Sequence, residues 1–263
     1  MKAMRVLAVL ALIVSLSALY PSGASGQPLD HFKCYSVKEG RPANVIVDLI
    51  DQFDPATAPP PPVLVGPPIF FCNPAEKRVL TASGGPGAVT PITNPDGHLK
   101  MYLITHAAEQ PQRTVTVSNQ FNPAGAAQLL TVFRPVLLAV PTQKDGHEFP
   151  KDLDHFKCYI TRGRPVQRAV ILDDQWDRDK RPENVVVFEP VLFCNPVTKI
   201  HDGVTTTPIP RRALVLDHLT CYRFIPPSTT VRNVRVLNQF GREKIVAAEA
   251  RYLCVPSSKL SFQ

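Results

Sequence analysis

Apolar and polar residues alternate with a period of two along most of this chain, and the alternation recurs four times. Val47 and Leu49 stand five and three residues before Gln52, Val115 and Val117 before Gln120, Val170 and Leu172 before Gln175, and Val234 and Val236 before Gln239. Side chains two apart share one face of a strand, so each stretch predicts a half-buried β-strand. An aromatic residue follows each glutamine (Phe53, Phe121, Trp176, Phe240), and Asp54, Asn122, Asp177 or Gly241 comes next. Those last residues tolerate left-handed backbone, which predicts that the strand ends there. A second alternating stretch returns through Val63/Val65, Leu130/Val132, Val185/Val187 and Ile245/Ala247. Pro68, Pro135 and Pro190, with Ala250 in the last copy, then predict a bulge or an edge, because proline cannot donate to a ladder.

The cysteines fall on the same repeat. Asp30-His31-Phe32-Lys33-Cys34-Tyr35 recurs around Cys158 and, more loosely, around Cys221, while a fourth copy reads Gly97-His98-Leu99-Lys100-Met101-Tyr102. The matching downstream positions are Cys72, Cys194 and Cys254, with Ala139 in the copy that carries Met101. One repeat has lost both cysteines and three have kept both, as bonded partners would. The pairs Cys34–Cys72, Cys158–Cys194 and Cys221–Cys254 are therefore expected out of the fifteen pairings that six cysteines allow. Met101 and Ala139 are expected to face each other and fill the space of the missing bridge.

Four modules result, at 29–78, 96–145, 152–200 and 215–263, each expected to have three strands with its first tied to its last. Modules one and three share Leu-Asp-His-Phe-Lys-Cys-Tyr and Cys-Asn-Pro, and modules two and four share Asn-Gln-Phe and Val-Pro. The larger repeat is thus a pair of modules. It predicts an all-β protein of two β-sandwich or barrel-like domains, 27–148 and 149–263, each built from two homologous three-strand modules.

The first residues alter the picture of where the chain works. Lys2 and Arg5 precede an apolar run from Val6 to Leu19, and Ala24-Ser25-Gly26 offers small residues for cleavage. Residues 1–26 therefore predict an export signal, with a secreted or periplasmic destination and no membrane span once it is removed. Paired cysteines fit such an oxidising compartment. The whole chain carries a formal charge of +7, and loss of Lys2 and Arg5 leaves +5, spread without a basic run. This points away from nucleic acid and is compatible with an anionic envelope polymer or another exported protein as partner.

Candidate chemistry is sparse. His31, His98, His155 and His218 occupy one position in all four modules, as do Tyr35, Tyr102, Tyr159 and Tyr222, and Gln52, Gln120, Gln175 and Gln239. Catalysis needs such a group once, so recurrence in every module assigns these residues to structure. A zinc site built from each histidine and its cysteines is disfavoured by module two, which keeps His98 without cysteines. Asp173, Asp174, Asp177 and Asp179 form the densest acidic group but lack the glycine and distal glutamate of a calcium loop. Lys77, Lys144, Lys199 and Lys259, five after each cysteine position, are expected as solvated ends, with a row for an anionic ligand as the alternative. Nucleophile, zinc-protease and phosphate-loop motifs do not occur. No catalytic residue, metal ligand or cofactor is assigned.

The module spine, His-Phe-Lys-Cys-Tyr, then Asp/Asn-Gln-Phe, then Leu/Phe-Cys-Asn/Val-Pro with a following lysine, resembles a repeat of exported bacterial proteins in a family of unknown function. The resemblance covers nearly all of the mature chain, and module two departs from it at Met101 and Ala139. It implies export and β modules and no activity. The expected function is non-enzymatic binding or a structural role in the cell envelope or outside the cell. A secreted hydrolase of polysaccharide or ester is the alternative.

Overall fold

A computed structural model describes residues 29–55, 60–81, 83–105, 107, 110–177, 182–209 and 217–263. The expected signal at 1–26 lies outside the described residues, as does Asp179. The described chain is all-β, and a 3-10 turn at Ala124–Ala126 is its one helical element.

Eight strands close into a ring, and each module gives two. Module one supplies β1 (His31–Glu39) and β3 (Val63–Leu80); module two supplies β5 (Leu99–Thr105) and β7 (Gln128–Pro141). Module three supplies β9 (Phe156–Arg162) and β11 (Glu183–Pro196); module four supplies β14 (His218–Asn238) and β15 (Gly241–Phe262). Within modules β1 pairs β3, β5 pairs β7, β9 pairs β11 and β14 pairs β15. Between modules β3 pairs β5, β7 pairs β9, β11 pairs β14, and β15 returns to β1. Every pairing is antiparallel, so the ring is a closed eight-stranded barrel with approximate fourfold repetition. The halves 27–148 and 149–263 each give four strands and meet along β7–β9 and β15–β1.

An eight-stranded barrel is just wide enough for side chains to fill it. Here the filling is the cysteine position and the residues two before it. Cys34, Cys72, Cys158, Cys194, Cys221 and Cys254 are buried with Phe32, Leu99, Phe156 and Leu219. The bonds are Cys34–Cys72, Cys158–Cys194 and Cys221–Cys254, each joining directly opposed residues of one module's strand pair. Met101 opposes Ala139 in the same register, and both are buried. The barrel interior is therefore continuous through module two without its bridge.

The middle strands lie outside the ring: β2 (Val45–Ile50), β6 (Arg113–Asn119) and β10 (Arg168–Asp174). In module four the first and middle strands run on as one, because β14 stays paired with β15 along most of its length and register shifts absorb Pro226 and Pro227. Each middle strand pairs with the start of its own return strand and with the far end of the return strand two modules away. β10 joins the end of β3, and β6 joins the end of β15. Reciprocally, β2 joins β12 (Thr198–His201) beyond β11, and the end of β14 joins β8 (Gln143–Lys144) beyond β7. Register shifts flank Pro68, Pro135, Pro190 and Ala250, as the prolines predict.

Candidate functional site

Strand alternation decides where the recurrent polar residues go. Residues one from a cysteine point out of the barrel, where the turn of the module two positions away covers them. The turn after each middle strand is built alike. Its first residue accepts a hydrogen bond from the backbone two residues on: Asp51 from Phe53 N at 2.8 Å, Asn119 from Phe121 N at 2.9 Å, Asp174 from Trp176 N at 2.8 Å, and Asn238 from Phe240 N at 2.9 Å. That Asx turn aims the other side-chain atom at a buried tyrosine. Tyr35 OH donates to Asp174 at 2.9 Å and Tyr159 OH to Asp51 at 2.8 Å. Asn238 Nδ2 donates to Tyr102 OH and Asn119 Nδ2 to Tyr222 OH, each at 3.0 Å. The aromatic of the turn packs edge-on against the same tyrosine, with Trp176 and Tyr35 centroids 4.4 Å apart.

Charge follows the turn type. The Asp turns of modules one and three are answered by buried lysines: Lys33 Nζ lies 2.8 Å from Asp177 and 2.6 Å from Glu183, and Lys157 Nζ lies 2.8 Å from Asp54. Burial works against the Lys33 charge, but Asp174 and Asp177 outweigh it and hold its pKa above the ordinary value. Asn73 and Asn195 add donors to Asp174 and Asp51 at 3.1 and 3.2 Å. The Asn turns meet hydroxyls instead: Asn119 Nδ2 donates to Ser257 Oγ and Asn238 Nδ2 to Thr142 Oγ1, each at 3.1 Å. Thr220 stands where the other modules carry lysine, opposite the one turn with no acid in it or beside it, and Ser257 Oγ donates to it at 2.8 Å. Module four's turn ends in Gly241, whose φ of 112° suits glycine; Lys100 there pairs with Glu243.

The histidines occupy four corners between neighbouring modules. His98 Nε2 meets the Gln175 amide oxygen and His155 Nε2 that of Gln239, each at 3.2 Å. At the His31 corner both ring nitrogens are buried without a hydrogen bond, and Gln120 instead accepts from Lys77 Nζ and donates to Thr90 Oγ1. Gln175 also donates to Pro95 O at 2.7 Å. All four rings are buried, and burial lowers their pKa values, to about 3 at His98 and about 4 at His155. His31 is three residues from Cys34, on the opposite face of β1, so ring nitrogen and sulfur cannot converge on one ion. Among the described residues no three His, Cys, Asp or Glu side chains group closely enough to hold a metal. Asp174 and Asp177 are engaged by Tyr35, Asn73 and Lys33.

The lysines after the cysteines correct the sequence reading. Lys77, Lys144 and Lys199 are buried, and the Lys259 ammonium is enclosed. Lys77 Nζ sits 4.4 Å from the Phe121 centroid, Lys259 Nζ 4.8 Å from that of Phe53, and Lys144 Nζ 5.7 Å from that of Trp176. Each lies over the next module's turn aromatic, whose face compensates part of the lost hydration. Burial lowers the pKa to about 7 at Lys77 and about 8 at Lys259. Sequence gave the equivalence of these positions but not the direction of the side chains.

The family model for a repeat of unknown function, DUF7450, matches residues 98–256, more than half of the chain. The chain belongs to this family. The match runs from the His98 corner of module two to Pro256 of module four, three of the four DUF7450-type modules described above. No curated protein and no solved structure matches the chain.

With the recurrent residues turned inward, the exposed chemistry of this DUF7450 protein is largely basic along the β14–β15 hairpin. Arg235, Arg242 and Lys244 are exposed there, and Arg41 lies beside them, its Nη2 donating to Arg242 O at 2.7 Å. Glu243 is taken up by Lys100 and by Arg41 N, and Asp145 stands 3.7 Å from Arg235. Arg235, Arg242 and Lys144 line a concavity of about 170 Å³ with Asp145.

Proposed function

We propose that this protein is a non-enzymatic exported binding scaffold for an anionic polymer of the cell envelope or extracellular space. The observation that carries the reading is the hairpin just described: exposed Arg235, Arg242 and Lys244 beside Arg41, with the nearest carboxylates few and Glu243 already engaged. Three cystines in the barrel interior fit an oxidising compartment. The titratable side chains that recur in every module serve contacts between modules, which supports a scaffold over a hydrolase. Attraction of this kind acts at long range and is screened by salt. On a column of immobilised polyuronate, the mature protein is expected to be retained at low salt and released by about 0.3 M NaCl, where the screening length falls below about 8 Å. The variant R235E/R242E/K244E should pass through at low salt. Passage of the wild type, or equal retention of the variant, overturns the reading.

A further inference from the structure

The four seams between modules are built to one plan, so three of them act as controls for the fourth. At each seam two residues just before the proline position bulge from the return strand toward the next module. At the seam of modules one and two these are Gly66 and Pro67, facing Leu103. At three and four they are Phe188 and Glu189, and Glu189 closes on Arg223 at 2.5 Å. At four and one they are Ala248 and Glu249, where Glu249 is held by Arg251 and its backbone N–H by Ser36 Oγ at 3.2 Å. Three seams therefore carry either no charge or a charge already answered.

The seam of modules two and three differs. Its bulge presents Phe133 and Arg134 toward Ile160 and Arg162 of β9, and these four, with Gln110 and Gln112, line a cavity of about 410 Å³. That volume lies within the usual range of small-ligand pockets. Among the described residues no carboxylate lines it, and neither arginine has an ion-pair partner. The Arg162 guanidinium lies 5.4 Å from the Phe133 ring centroid, which orients its fork along the apolar floor. Gln110 donates through Nε2 to Asp54 at 2.8 Å, while its Oε1 is buried without a partner. Asp54 itself is occupied by Lys157.

Two guanidiniums without an ion-pair partner among the described residues and an apolar floor together suit a ligand with a carboxylate and a flat apolar face. Guanidinium forks match carboxylates in a bidentate geometry. We infer that the module two–three seam is a subsite for a carboxylated sugar ring, with its carboxylate between Arg134 and Arg162 and one ring face over Phe133 and Ile160. The choice of a sugar acid rests on the polymer reading above; the anionic and apolar character of the pocket does not.

The test titrates the full mature protein with tetragalacturonate, with its neutral methyl ester, and with phenylacetate. The acid is expected to bind, with the ester weaker by about tenfold or more, and Arg134→Gln and Arg162→Gln should each weaken the acid by about tenfold. Arg223→Gln, at the equivalent three–four seam, should bind the tetramer as wild type does. Unchanged thermal midpoints confirm that the exposed arginine variants fold. Tetramer binding untouched by both seam variants overturns the inference, even where the column still retains the protein and the polymer reading stands. Tighter binding of phenylacetate than of the tetramer overturns the sugar assignment. Absence of binding to both tetramer and column removes both readings.

Discussion

The turn of module three on module one and the turn of module two on module four solve one docking problem with different chemistry. Asp174 receives the Tyr35 hydroxyl and Asn73, and Asp177 receives Lys33. Asn119 instead gives its amide to Tyr222 and Ser257, with Thr220 in the lysine position. The backbone turn and the edge-on aromatic are common to both. A carboxylate turn needs a buried cation to offset its desolvation, whereas an amide turn is satisfied by neutral partners. The matched sets sit in modules two apart, one and three or two and four, so wrong docking would leave a buried charge or amide unanswered. The two alternating module types are thus a specificity device that fixes which turn covers which tyrosine.

The largest break in this symmetry should come from Lys33→Met. It leaves Asp177 and Glu183 without their buried ammonium and is expected to cost about 3–5 kcal/mol in urea unfolding. Thr220→Val, at the same position in the neutral set, should cost only about 1 kcal/mol. Similar losses for the two would show that charge does not separate the module types. The double variant Lys33→Met with Asp177→Asn should recover part of the loss, since one of the two carboxylates left behind is then neutral.

A second contrast lies inside the barrel, between the bridged modules and module two. Met101→Cys with Ala139→Cys should form a fourth cystine, because the two residues oppose each other in the register of the cysteine pairs. A closed loop of this length is expected to add up to about 4 kcal/mol. Mass spectrometry without reductant checks the bond. Two free thiols after oxidative refolding would mean that the opposed positions are not equivalent to the cysteine pairs.

The most gradual effect, at most about 1.4 kcal/mol per pH unit for each histidine, concerns the corners. His98 and His155 are neutral in the folded chain down to about pH 3 and about pH 4, whereas in the unfolded chain they take up protons below about pH 6.5. The unfolded state then binds more protons, so stability is full above about pH 6.5 and falls as the pH drops toward those folded values. The urea midpoint should decline from pH 7 to pH 5, and His98→Asn should reduce the slope while lowering the midpoint at pH 7. An identical slope in that variant would remove His98 as a contributor.

The repeat made much of this legible in advance. Joint loss at Met101 and Ala139 revealed the pairing of the other six positions, because a disulfide couples two distant residues that otherwise vary independently. Period-two alternation gave the strands, and proline gave the bulges, since both are local properties of backbone and side-chain direction. Tertiary structure decided the rest. Local pattern could not show that Lys77 and Lys144 turn inward over an aromatic ring, because that ring comes from the next module. Nor could it show that Tyr35 and Asp174, 139 residues apart, share a hydrogen bond. The sequence by itself determined the strands, the cystines and the four equivalent positions of each residue. Which copy meets which was decided only by closure of the ring, where each outward-facing tyrosine, with the lysine or threonine two residues before it, is covered by a turn from another module and must match its charge.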